Sequence, residues 1–244
     1  MIMLAGVTEN DIVYDLGCGD GRIVLAAARQ AGCRAVGFDI DLKRVNESRE
    51  NALREGLSDR VSFYEQNLFD VNLGKATVVM LFLYPHVNIR LRPKLLNELR
   101  PGARVVSHSH TMEDWAPDRS ARANWRNLYF WVIPARVEGI WHWEADLGNG
   151  PENYSMELTQ SYQRFSGSVK SHHDKKGIKK GRLSGEKIAF NTGNSRTELH
   201  FAGIVRQDSI TGTIRKDSGE TIPWSAARKA EETRRGLLKL LGIY

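Results

Sequence analysis

Cysteine is scarce in this chain of 244 residues: Cys18 and Cys33 are the only two. They form neither a Cys-x-x-Cys pair nor a secreted-type framework. A disulfide scaffold is therefore excluded, and a reducing compartment, with a cytoplasmic location, is expected. Long apolar runs are lacking too. The longest, residues 78–85, has eight residues, far too few to span a bilayer. Residues 1–10 contain no basic region followed by an apolar stretch, so a signal peptide is not expected. Proline is also sparse, at seven residues, while 41% of the chain is hydrophobic. Disordered and collagen-like classes drop out, and the length allows one large domain or two ordinary ones.

A strong charge of one sign is missing from the first half but not from the second. Residues 1–140 hold 18 basic and 17 acidic side chains, and residues 141–244 hold 17 and 12. The net charge of +6 is thus concentrated in the second half. That half has either a solvated basic surface or a face for an acidic partner or nucleic acid.

Strand-like and helix-like runs alternate through the first half, as a parallel sheet with crossover helices requires. Strands are expected at 12–16, 34–40, 61–66, 77–83 and 104–110. Helices are expected at 21–30, from Asp41 to about Gly56, and from Pro93, read as a first-turn proline, to Leu99. The second half reads differently. Seven short alternating runs (139–145, 154–164, 167–170, 181–191, 197–205, 209–214 and 220–226) suggest an antiparallel sandwich or small barrel. Residues 226–241 read as a charged amphipathic C-terminal helix. The expected fold class is α/β, a doubly wound Rossmann-like sheet followed by this β-rich module. Domains are expected at 1–147 and 148–244, with Gly148 and Gly150 at the break.

One motif carries chemistry. Asp15-Leu16-Gly17-Cys18-Gly19-Asp20-Gly21 joins the first strand to the first helix. A glycine-rich turn there lets backbone approach a ligand at the helix N-terminus. The spacing is not the G-x-G-x-x-G of dinucleotide sites. A carboxylate at Asp15 would repel a pyrophosphate and attract a sulfonium and an ammonium. S-adenosylmethionine has both cations and no phosphate, so it is the expected cofactor, with S-adenosylhomocysteine as product. Asp39 ends the second strand, where an acid accepts bonds from ribose hydroxyls.

These residues resemble the first two motifs of class I, Rossmann-like SAM-dependent methyltransferases, over roughly residues 5–140. The resemblance implies that Gly17, Gly19 and Gly21 cradle the methionine moiety and that Asp39 holds the ribose. Asn67 takes the place of an adenine-facing acid or amide, with Leu68 as its apolar neighbour, or is an ordinary loop asparagine. Residues 76–108 are similar to a lysine-methyltransferase branch that includes the non-SET histone-lysine enzymes. That branch also includes mitochondrial enzymes acting on ATP synthase and on the adenine nucleotide translocase. Amine methyltransferases place Asn or Asp before Pro-Pro-Tyr/Phe after the fourth strand. This chain has Leu83-Tyr84-Pro85 and lacks the polar side chain. Relatives also carry a helix and loop before the first strand, whereas only residues 1–11 precede it here; the expectation is either an N-terminally shortened sheet or cover supplied by the second domain.

The acceptor side has several candidates at the C-terminal sheet edge. Tyr84 is either a site residue or core, and His86, His108, His110 and Asp114 surround the ends of strands four and five. Tyr84 and His108 are the leading catalytic candidates. No metal is expected: His172 and His173 sit among lysines, apart from His142. The function expected is N-methylation of a protein lysine or other amine acceptor. The alternatives are RNA or small-molecule methylation, or non-catalytic SAM binding. Oligomeric state is open.

Overall fold

In the computed structural model, residues 1–123, 125–148, 150–194 and 197–228 are described. The chain divides into two compact units, Met1–Ile133 and Pro134–Tyr244.

The first unit begins with a short helix, α1 (Ile2–Ala5), and continues as β1 (Ile12–Leu16), α2 (Arg22–Ala31), β2 (Arg34–Asp39), α3 (Leu42–Arg54) and β3 (Val61–Glu65). Then come β4 (Val78–Leu81), α4 (Pro85–Glu98), β5 (Arg104–His108), β6 (Arg119–Ala123) and β7 (Arg126–Val132). The sheet order is β3-β2-β1-β4-β5-β7-β6. The first five strands pair in parallel, and β7 runs antiparallel to β5. Crossover helices cover this sheet, so its central strands are buried on both faces. All four residues of β4 are buried, as are the last four of β1.

Local chemistry sets the helix ends. Asp41 caps α3 by accepting the Lys43 N–H at 2.8 Å, and Gly32 ends α2 with φ 68°. The third crossover helix corrects the sequence expectation. It starts at Pro85, where a missing N–H is harmless, and runs through Pro93. Burial of Asn88, Leu91 and Leu95 on one face carries it past the internal proline. Edge strand β6 is also a correction: all five of its residues are exposed, so it has no apolar alternation to read.

The second unit is a closed barrel in the order β10-β11-β12-β13-β14-β15-β8-β9. Its strands are β8 (Gly139–Asp146), β9 (Pro151–Ser161), β10 (Arg164–Lys170), β11 (Lys175–Ser184), β12 (Lys187–Asn194), β13 (Thr197–Arg206), β14 (Ser209–Lys216) and β15 (Thr221–Arg228). Inward-facing Trp141, Phe165, Phe190, Phe201 and Trp224 pack its core. Closure comes from β15 against β8, with Ala227 opposite His142 and Arg228 opposite Trp141. This pairing moves the domain boundary from 147/148 to 133/134: residues 139–146 belong to the barrel. Of the expected terminal helix, residues 226–228 form the end of β15, and the remainder lies outside the described residues. Among the described residues no helix is long and apolar enough to cross a membrane.

Candidate functional site

The glycine turn sits at the C-terminal edge of the parallel sheet, where open α/β sheets bind ligands. The Phe38 carbonyl accepts the N–H groups of Gly17 (2.8 Å) and Cys18 (3.0 Å), which ties the turn to the end of β2. Gly17 and Gly21 both adopt positive φ, 83° and 82°. A Cβ on Gly17 would lie 2.7 Å from Leu83 Cδ2, and one on Gly21 2.8 Å from Phe63 and Ser48. Any side chain at these positions would be strained and crowded.

Asp39, at the end of β2, faces this turn. Its Oδ2 accepts the Gly19 N–H at 2.8 Å, and Oδ1 accepts the Asp41 N–H at 3.1 Å. Each oxygen keeps acceptor capacity beyond these bonds, as ribose hydroxyls would require. Asp20 is committed elsewhere, to both Nε and Nη2 of Arg22.

Asp15 is the electrostatic oddity. It is 1% exposed, and neither carboxylate oxygen has a hydrogen-bond partner among the described residues. Burial, reinforced by Asp39 and Asp20, pushes its carboxyl up to about 7. An orphaned buried carboxylate costs free energy unless a cation approaches. The residues present therefore suit a cofactor with a cationic end and no phosphate, which Gly17, Gly19 and Gly21 would hold, with Asp39 toward its hydroxyls. Asn67 is exposed; its Oδ1 accepts the Phe69 N–H at 3.0 Å, leaving Nδ2 as the outward polar group. Leu68 beside it is half-buried.

The acceptor-side candidates gather around the ends of β4 and β5. Tyr84 is 73% exposed, which removes the core-packing alternative, and its ring lies parallel to His86 at 6.0 Å. His108 closes β5, and its Nδ1 lies 3.0 Å from Ser109 Oγ. Burial, with lesser repulsion from Arg126, the N-terminal ammonium and His110, holds its imidazole below the usual histidine range. It is therefore neutral at neutral pH. The sequence reading missed Phe82: it is 57% exposed, and its ring centroid is 4.1 Å from that of His108. Its position in a continuous apolar run disguised it as core; the nearby Pro85 was the available sign that the strand had already ended. Asp114 is drawn away by an ion pair with Arg92. His172 and His173 lie in the β10–β11 turn of the other unit, rings 4.8 Å apart. Among the described residues no group of three or more His, Cys, Asp or Glu is placed to hold a metal.

Comparison with known proteins adds the family. Residues 15–119 match the model of the ANTKMT methyltransferase domain. A protein-lysine N-methyltransferase of Saccharolobus islandicus is 42% identical over 138 residues, covering 54% of this chain and 86% of that protein. The adenine nucleotide translocase lysine N-methyltransferase of Mus musculus is 43% identical over 140 residues, 57% of this chain and 55% of that protein. This chain thus spans about half the length of that animal relative. An RNA methyltransferase of Salinibacter ruber, solved with S-adenosyl-L-homocysteine, has 47% identity and a TM-score of 0.55, covering 56% of this chain and 89% of that one. The match over most of the Saccharolobus protein settles the lineage: the chain belongs to the same family of SAM-dependent methyltransferases as that protein, with residues 15–119 matching the ANTKMT methyltransferase domain.

Proposed function

We propose that this enzyme methylates the side-chain nitrogen of a lysine in a protein acceptor. The cofactor, when bound, supplies a methyl group made electrophilic by the sulfonium. The chain's own task is to present an uncharged amine in line with it, and to exclude water. Lysine in water has a pKa near 10.4, so the acceptor must lose a proton first.

The observation that carries this reading is the Phe82–His108 pair at the sheet edge. Exposed Phe82 and Tyr84 offer apolar ring surface against which the lysine side chain packs. Burial of the ammonium against them lowers its pKa. Neutral His108 then supplies a nitrogen to take the proton, oriented through Nδ1 by Ser109. This arrangement replaces the polar side chain that other amine methyltransferases carry after the fourth strand. The names of the Saccharolobus and mouse relatives support a lysine acceptor.

The Salinibacter ruber neighbour favours a second reading, RNA as acceptor. Incubation with methyl-labelled SAM and separate protein and RNA extracts distinguishes the two. Label recovered as methyl-lysine after acid hydrolysis of the protein supports the proposal; label confined to RNA overturns it.

A further inference from the structure

We infer that the barrel of the second unit is a binding site for a mainly apolar small molecule without an anionic group. This inference rests on the barrel alone and is independent of the acceptor assignment. Eight-stranded barrels sit at a threshold: their interior is filled by side chains or holds one small ligand. Here one end is filled and the other is not. The open end contains a cavity of about 860 Å³, within the range of small-molecule sites and well above the voids that a packed core tolerates.

On two strands the inward positions pass from apolar to polar toward that mouth. On β12 the series is Ile188, Phe190, Thr192; on β9 it is Leu158, Met156, Tyr154, Glu152. The cavity therefore has an apolar wall of Trp143, Tyr154, Val169, Leu199 and Phe201 below a polar rim. A sequence selected only for barrel stability would continue the aromatic filling outward.

Two observations narrow the ligand chemistry. First, the rim lysines are already paired within the protein. Lys176 pairs with Asp174 at 3.2 Å, and Lys216 with Glu220 at 3.0 Å. Glu152 accepts the Tyr154 hydroxyl at 3.1 Å and the His172 N–H at 3.0 Å. The rim holds Glu152, Asp174, Glu198 and Asp217 against Lys176 and Lys216, and this acidic excess disfavours an anionic guest. Second, Trp143, on the cavity wall, is buried, and its Nε1–H has no hydrogen-bond partner among the described residues. A buried indole N–H usually finds an acceptor. That nitrogen is closed to water as well, so the cavity wall presents the apolar ring surface of the indole, beside Phe201 and Leu199.

The test uses the full chain and the neutral probe 1-N-phenylnaphthylamine, whose fluorescence rises in apolar surroundings. Saturable binding of one probe per chain is expected, with displacement by a long-chain fatty alcohol. Leu199→Trp and Leu147→Trp each place an indole in the cavity and should weaken binding by about tenfold or more. Near-ultraviolet circular dichroism confirms that the variants are folded, and two variants guard against one that is not. The proposal is overturned if no saturable binding occurs or if folded variants bind like the parent. It is likewise overturned if only the anionic probe 8-anilinonaphthalene-1-sulfonate binds.

Discussion

The Asp39 carboxylate accepts the backbone N–H of Gly19 at 2.8 Å, so the acid expected to hold the ribose also fastens the glycine turn expected to cradle the cofactor. On that reading, binding and loop order are coupled through one side chain. Asp39→Ala should weaken S-adenosylhomocysteine binding about ten- to a hundredfold, since hydrogen bonds to a charged group contribute about 1.5–3 kcal/mol. It should also lower the melting temperature without ligand, because the bonds to Gly19 and Asp41 are lost together. Calorimetry and thermal melts check both; an unchanged ligand-free melt would show that the loop holds itself.

Asp15 gives a pH signature with a definite sign. Its carboxyl is raised to about 7 by burial and by Asp39 and Asp20, so the folded state keeps a proton that the unfolded chain gives up near pH 4. The native state then binds more protons than the unfolded one between about pH 4 and 7, and this residue's contribution to stability falls as pH rises through that window. Asp15→Asn should raise the ligand-free melting temperature at pH 8 and change it little at pH 4. Cofactor binding should behave oppositely. The parent should lose about tenfold in affinity from pH 8 to pH 6 as the carboxylate is neutralised, and the variant should be weaker and nearly flat.

His108 should report itself in the rate. Its imidazole is held below the usual histidine range, so the acidic limb of kcat against pH should fall below that range. His108→Gln should remove that limb and lower kcat by about a hundredfold or more, with cofactor affinity unchanged. Phe82→Ala should chiefly raise KM for the acceptor. Steady-state kinetics on a lysine-containing acceptor across pH separates the two effects.

The boundary at 133/134 is also testable. A fragment of residues 1–133 should fold and bind S-adenosylhomocysteine within about tenfold of the full chain, a difference of roughly 1.4 kcal/mol. A fragment ending at 147 should gain no affinity and should aggregate more readily. It carries β8, with inward-facing Trp141 and Trp143, without the strands β9 and β15 that pair with it.

How far the sequence could be read depended on how each residue is partnered. The parallel sheet was legible because β1 and β4 are buried runs and the glycine turn follows the first of them. Asp15 was legible because a carboxylate two residues ahead of the glycine turn suits a cationic ligand and not a pyrophosphate. β6 and β11 were not: Arg119–Ala123 is wholly exposed, and Lys175–Ser184 has only Ile178 and Leu183 as large apolar residues. Strand β11 is held by register with β10 and β12 instead. Phe82 was hidden for the opposite reason, since an exposed aromatic that extends a buried strand has the composition of core. The barrel cavity had no sequence signature at all, because a void is an absence shared among several strands.

The closure of the barrel by β15 against β8 imposes an order on biosynthesis. Arg228 lies opposite Trp141, and its guanidinium sits 4.7 Å over that ring, so the barrel cannot shut until the ribosome has released residue 228. The first unit has its last strand by Val132. The methyltransferase sheet is thus complete while the barrel is still open hairpins with unpaired outer strands, and that interval is where the nascent chain is most exposed to aggregation and to chaperones.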